Sequence, residues 1–221
     1  MSESIPVLTL DGPSGAGKGT VSRALARHLG WHYLDSGAIY RSLAIAVLDR
    51  EIALDDIDEI VAVAGSMQLM FEPGDVPRVV LDGQDITHRI GSETCGNTAS
   101  KIAALGPVRQ ALLQKQREFC RSPGLVADGR DMGTVVFPDA HCKIFLTASA
   151  EERARRRYKQ LKEKGLDVKL SDLTMEIDER DRRDRERSEA PLREAEDAVV
   201  VDTSTLSIEE VIERCLSLLK N

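Results

Sequence analysis

The run Val7-Leu8-Thr9-Leu10-Asp11-Gly12-Pro13-Ser14-Gly15-Ala16-Gly17-Lys18-Gly19-Thr20 is a short β-prone segment that empties into a loop and restarts as a helix. Three glycines and a proline between Asp11 and Gly17 forbid regular strand or helix. Beyond Lys18, Val21, Ala24, Leu25 and Leu29 recur near helical spacing, and Gly30 stands where helices stop. Gly12 to Lys18 therefore fit a Gly-x-x-x-x-Gly-Lys phosphate loop in its required setting, strand before and helix after. Small residues let backbone N–H groups turn inward around a polyphosphate, the helix N-terminus adds partial positive charge, and Lys18 adds a full one. The general pattern next asks for Ser or Thr, whose hydroxyl holds magnesium; Gly19 stands there, followed by Thr20. Magnesium would instead be held through waters, helped by a strand-end carboxylate such as Asp11 or Asp128, and no residue is assigned as a direct metal ligand.

Working outward, a helix is predicted over roughly Ala38 to Arg50, carrying Leu43 and Val47. Met67 to Phe71 and Arg78 to Leu81 read as two strands joined by Pro73-Gly74-Asp75-Val76-Pro77, either a small insertion or an edge hairpin of the main sheet. Pro107 opens a helix to about Cys120; Leu125-Val126-Ala127 is a compact strand ending at Asp128-Gly129. Lys143 to Leu146 forms another strand and leads into a very polar helical zone, Ala150 to Arg187. Val199 to Val201 is the last strand, and Ser207 to Glu210 is a capping box opening a helix with Val211, Ile212, Cys215 and Leu219 inward. Apolar strands alternating with helices predict an α/β fold around an open parallel sheet.

At 221 residues the chain makes one domain. Thirty basic against 37 acidic residues give −7, which repels nucleic acid and anionic membrane surfaces, and 4% aromatic residues leave little for stacking bases. Any anion site must be local. Cys95, Cys120, Cys142 and Cys215 lack metal or redox spacing and read as core thiols of a reducing compartment; His28, His32, His88 and His141 are equally scattered. The N-terminus is polar, and the longest apolar run, Leu43 to Leu48, is too short for a membrane span or a signal core, so a cytoplasmic location is expected. Trp31 and Tyr33 read as packing residues.

Phosphoryl transfer needs cations beyond the loop. Arg180, Asp184 and Arg187 are spaced i, i+4 and i+7, falling at about 0°, 40° and 340° on one face of a helix. Glu176 to Arg187 also holds six acids and five arginines, with opposite charges four apart at Glu176/Arg180, Asp178/Arg182, Glu179/Arg183 and Asp181/Arg185, so a solvated helix explains the same stretch. Arg155, Arg156 and Arg157 read mostly as surface, with one of them a candidate for ATP phosphate. Asp128-Gly129-Arg130-Asp131 follows a buried strand, where ligands gather in open α/β sheets; the alternative is a polar turn. Asp35 or Ser36 can cap the helix carrying Tyr40, which is compatible with phosphate binding.

Gly-Lys-Gly-Thr at 17–20, Asp35-Ser36-Gly37-Ala38-Ile39-Tyr40-Arg41, Ala127-Asp128-Gly129-Arg130-Asp131-Met132-Gly133-Thr134, and Glu179-Arg180-Asp181 through Arg187 to Ala190-Pro191-Leu192 resemble the bacterial-type cytidylate kinases of the nucleoside monophosphate kinase family. The resemblance implies a P-loop NTPase core with five parallel strands flanked by helices. It also implies a monophosphate-binding insertion with a β-hairpin at roughly 63–90 and a helical lid at roughly 150–187, in one kinase domain spanning 1–221. The implied reaction is transfer from ATP, with Mg2+, to CMP or dCMP by a monomer. Gly12, Pro13, Ser14, Gly15, Ala16, Gly17, Lys18, Gly19 and Thr20 would bind ATP. Ser36, Arg41, Arg130 and Asp184 would surround the acceptor's phosphate and sugar, and Ser100, Arg109, Asp131 and Arg187 its base. Lys18, Arg130 and Arg180 would serve the transferred phosphate, with Arg180 reaching it from the lid.

Cytosine offers a donor at N4 where uracil has an acceptor, so Asp131 and Ser100 can accept from N4 while Arg109 and Arg187 donate to N3 and O2. An ionised acceptor phosphate needs no general base. Competing readings are a phosphate-loop kinase for UMP, AMP or a non-nucleotide metabolite, a GTP switch, and an inactive nucleotide-binding regulator. The switch lacks an Asn-Lys-x-Asp stretch, and the regulator is disfavoured by the presence of Lys18, Arg41, Arg130 and Arg180.

Overall fold

The computed structural model describes residues 5–72, 78–163 and 165–219. They group into two compact units, one of 1–34 with 117–221 and one of 35–116. The turn read at Pro73 to Pro77 and the polar start at Met1 to Ser4 lie outside the described residues.

The first unit is built on a five-stranded parallel sheet. Its strands are β1 (Val7–Asp11), β2 (His32–Asp35), β6 (Leu125–Asp128), β7 (Cys142–Thr147) and β8 (Val199–Asp202), in the order β2-β6-β1-β7-β8. β1 is buried along its whole length because it has a strand on either side and helices on both faces, which is why it reads as a nearly continuous apolar run, with Thr9 the one polar residue before Asp11, rather than an alternating one. Its core contains Leu8, Leu10, Val21, Leu25, Val126, Ile144, Leu146, Val201, Val211 and Cys215. Helix α1 (Lys18–Leu29) ends on Gly30 in the left-handed conformation, as its sequence predicts. Helix α8 (Ile208–Leu218) opens with the complete Ser207/Glu210 capping box and buries Val211 and Cys215. The polar zone resolves into α6 (Ala150–Glu163) and α7 (Leu170–Glu186).

The second unit is mostly helical: α2 (Ser36–Asp49), α3 (Ile57–Ser66), α4 (Glu93–Ile102) and most of α5 (Gly106–Arg117). The hairpin strands β3 (Leu69–Glu72) and β4 (Arg78–Leu81) pair with β5 (Gln84–Asp85) in a sheet of their own. The hairpin is therefore not an edge of the main sheet. The segment 63–90 lies inside this unit, together with α2 and α4, which pack on one another.

Two expectations need correction. Cys95 and Cys215 are buried thiols, but Cys120 and Cys142 are only partly buried. Arg187 is not helical: α7 stops at Glu186 and Arg187 turns to extended backbone (φ −60°, ψ 138°), so the three-residue helix face includes only Arg180 and Asp184. No helix among the described residues is long and apolar enough to cross a membrane.

Candidate functional site

Parallel strands deliver their carboxyl ends to one edge of the sheet, and from the central β1 the chain runs out to β2 on one side before it returns through β6 to β7 and β8 on the other. Register sets Leu10 of β1 beside Asp128 of β6, and the Gly129 N–H donates to the Leu10 carbonyl at 3.1 Å. The phosphate loop leaves β1 there. Gly12 has φ +143°, and a Cβ on it would stand 1.9 Å from the Leu146 carbonyl oxygen, so no other residue fits that corner. Lys18, 6% exposed, folds back to donate to the Pro13 carbonyl at 2.9 Å.

Charge collects around that lysine. Burial pulls the Lys18 ammonium well down, and the nearby Arg130 and Arg180 charges push the same way against Asp128 and Asp11. Arg130 donates from Nε to Asp184 Oδ2 at 3.0 Å. Burial works against the charge on Asp184, but Arg130, then Arg180 and Arg187, hold its carboxyl below the usual range. Arg187 Nη2 lies 3.8 Å from Asp131 Oδ1, with both side chains almost wholly buried. One unit thus brings together Lys18, Arg130, Asp131, Arg180, Asp184 and Arg187. Such a concentration of cations beside the strand ends, three of the four arginine forks, suits a polyphosphate.

The two strand-end carboxylates differ in use. Asp11 accepts the Met132 and Gly133 N–H groups, each at 2.8 Å, and so anchors the π-helical turn Met132–Val136 that follows Arg130 and Asp131. Burial raises its carboxyl to about 7 against the pull of those two donors. Asp128 instead accepts from the Tyr33 hydroxyl at 3.4 Å and faces Gly19, where a Cβ would be 3.3 Å from its Oδ2. Among the described residues no three His, Cys, Asp or Glu side chains gather as a metal-binding group.

In the second unit Asp35, not Ser36, caps α2, accepting the Ala38 N–H at 2.8 Å. The Ser36 hydroxyl donates to Gln116 Oε1 at 2.6 Å, deep in the unit. Arg109 lies 5.8 Å from the Tyr40 ring centroid and donates to the Ala103 carbonyl at 3.2 Å. Ser100 is buried on α4, and half-buried Arg41 on α2 offers its carbonyl to Cys95 Sγ at 3.4 Å. Sequence reasoning missed Gln116, whose amide has no local signature.

It also missed the destinations of the arginines on α6. Arg155 is exposed, as expected, but Arg156 bridges Glu152 to the carbonyl and hydroxyl of Thr203. On α7, Glu179/Arg183 pairs as the spacing predicts, whereas Arg182 takes Glu179 and Glu186, and Asp181 takes Arg153. Arg153 falls on the buried stripe of α6 with Ala154 and Leu161, a position that could have marked it.

Comparison with known proteins agrees with this architecture. The cytidylate kinase family model matches residues 8–221. The cytidylate kinase of Methylococcus capsulatus is 63% identical over 221 residues, covering 100% of both chains. That of Aeromonas salmonicida is 56% identical over 218 residues, covering 98% of this chain and 95% of its own. That of Shewanella denitrificans is 54% identical over 223 residues, covering 100% of this chain and 98% of its own.

Proposed function

The chain belongs to the cytidylate kinase family, and on that premise we propose that it transfers the γ-phosphoryl group of ATP to CMP or dCMP, giving ADP and CDP or dCDP. It is a nucleoside monophosphate kinase. The observation that carries the reading is the assembly of Lys18, Arg130 and Arg180 beside the phosphate loop. The acceptor's phosphate oxygen attacks the γ-phosphorus as the bond to the β,γ-bridging oxygen breaks and ADP leaves with that electron pair. Catalysis is then positioning and charge neutralisation.

Gly12 to Thr20 cradle the donor phosphates, and Lys18 exchanges its poor partner, a backbone carbonyl, for phosphate oxygens. Arg130 and Arg180 take the charge that spreads over the transferred group. Arg41 and Ser36 from the second unit, with Arg130 and Asp184, hold the acceptor's phosphate and sugar; Ser100, Arg109, Asp131 and Arg187 read its base. The unit 35–116 is the monophosphate-binding part, and 150–187 the lid. A divalent cation accompanies ATP in this chemistry, and Mg2+ fits the residues present: Asp128, facing the side-chain-free Gly19, is a single carboxylate of the kind that holds Mg2+ through its waters. Bound there, it would neutralise phosphate charge. The chain acts as a cytoplasmic monomer without nucleic-acid or membrane partners.

The test is ADP release with ATP, Mg2+ and CMP, dCMP, UMP, AMP, GMP or no acceptor. Fast turnover confined to CMP and dCMP is expected. Turnover that ignores the acceptor would mean an ATPase or switch, and the base-reading residues would be withdrawn.

A further inference from the structure

Helix α7 carries Arg180 and Asp184, yet its buried stripe changes character along its length. The stripe begins with Leu173 and Ile177 and continues with Asp181 and Asp184. The half of the helix that bears the functional groups is thus held by polar bonds. Asp184 takes Arg130, a residue phosphates will also claim. Asp181 takes Arg153, and that pair is of another kind.

Arg153 and Asp181 have side chains only 4% and 6% exposed and are joined by two parallel bonds, Nη1 to Oδ1 at 3.0 Å and Nη2 to Oδ2 at 2.5 Å. Two more guanidinium donors are spent on backbone. Nε donates to the Ala148 carbonyl at the exit of β7, and Nη1 also donates to the Ser14 carbonyl inside the phosphate loop. The stem lies on the loop as well: a Cβ on Gly15 would be 3.0 Å from Arg153 Cβ. One side chain therefore fixes the phosphate loop, the end of β7 and the lid helix against one another. Beside it opens a groove of about 450 Å³ whose only apolar lining is Ala148 and Ala150, the rest being Ser149 and the charged Arg153, Asp178, Asp181, Arg182, Arg185 and Glu186. Apolar packing cannot set the height of α7 at that level; the ion pair does.

We infer that Arg153, through Asp181, is a positioning residue for phosphoryl transfer: it holds Arg180, the neighbour of Asp181 on α7, at a fixed reach from the phosphate loop. This rests on the proposed role of Arg180. Both oxygens of Asp181 and four of the five N–H donors of Arg153 are engaged within the protein, so the clamp does not compete for nucleotide and stays made while Arg130 leaves Asp184 for substrate.

The test separates holding from stabilising. Arg153→Met combined with Asp181→Leu replaces the buried pair by apolar groups of similar volume, an exchange that leaves stability nearly unchanged. The double variant should melt within about 3 °C of the parent, with kcat lower by about 30- to 100-fold, the scale of a misplacement near 1 Å, and KM for CMP within about threefold. Adding the pair of changes to Arg180→Met should slow that variant no further, because both act through one residue. A parent-like kcat in the stable double variant, or a full additional loss on top of Arg180→Met, overturns the inference. Should the double variant fail to fold, Arg153→Lys keeps the charge and stem but not the fork; a tenfold or greater fall in kcat is expected, and a parent-like kcat overturns it. Arg180→Met alone is the control: at parent rate it removes the role of Arg180 and the inference with it, whereas a slow Arg180→Met beside a fast double variant removes the inference alone.

Discussion

Lys18→Met should make the nucleotide-free protein more stable. In the folded chain the ammonium is buried, has one carbonyl partner at 2.9 Å and faces Arg130 and Arg180, and its pKa falls from 10.5 to about 7. At 1.36 kcal/mol per pKa unit, keeping Lys18 there costs roughly 4 kcal/mol at pH 7. Losing the hydrogen bond to Pro13 forfeits about 1 kcal/mol, so the variant should gain roughly 3 kcal/mol. The sign with pH follows from the lowered value. Between about 7 and 10.5 the unfolded chain holds a proton that the folded chain has released, so parental stability rises with pH across that window, and the penalty is full only below about 7. The assay is urea unfolding of parent and variant from pH 6 to 9.5 at equal ionic strength, comparing midpoints at constant m. The gap should close by about 1.4 kcal/mol per pH unit above 7. ATP should then stabilise the parent and not the variant, since phosphate is the partner Lys18 lacks. A variant less stable than the parent at pH 7, or a gap that ignores pH, refutes the reasoning.

Asp131→Asn should lower the preference for CMP over UMP, measured as a ratio of kcat/KM values, by about tenfold, because a carboxylate facing uracil O4 is left unpaired at a cost of roughly 1–3 kcal/mol; an unchanged ratio takes Asp131 out of base reading. Gly12→Ala should lose at least about 3 kcal/mol in urea unfolding, since its Cβ would stand 1.9 Å from a backbone oxygen at φ +143°, and a parental midpoint would contradict that geometry. Ser207→Ala removes the cap of α8 and should cost about 1 kcal/mol, lowering Tm by roughly 2–4 °C with kcat untouched; an unmoved Tm means the box contributes nothing. Amide exchange over 150–187 should slow when ATP and CMP are both present, and equal exchange with and without them argues against a lid.

Much of this protein was legible because its signals are local. A Gly-x-x-x-x-Gly-Lys turn between a strand and a helix marks a phosphate loop, and α1 and the α8 capping box stand where spacing and cap chemistry put them. The conspicuous strands, apolar on nearly every residue, were equally plain. β2 was not, because His32-Tyr33-Leu34-Asp35 at the sheet edge buries only Leu34 fully and carries neither an apolar run nor strict alternation. β5, two exposed residues long, owes its existence to β4 alone. The family resemblance named the functional arginines, but composition gave no means of telling a solvated arginine from a working one.

Only the tertiary structure made that distinction. On α7 every acid from Glu176 onward has an arginine four residues away or nearer, so local spacing satisfies them all alike; burial separates them, sending Asp181 to Arg153 and Asp184 to Arg130, 28 and 54 positions distant. Asp11 and Asp128 look equivalent as strand ends, and differ because a backbone turn 121 positions away occupies both oxygens of Asp11. Sequence determined which segments could pair or coil, since those preferences are set by neighbours within a few residues. Which polar group meets which was decided by the fold, because a desolvated charge must find a partner and that partner is supplied by whatever chain the packed sheet brings alongside.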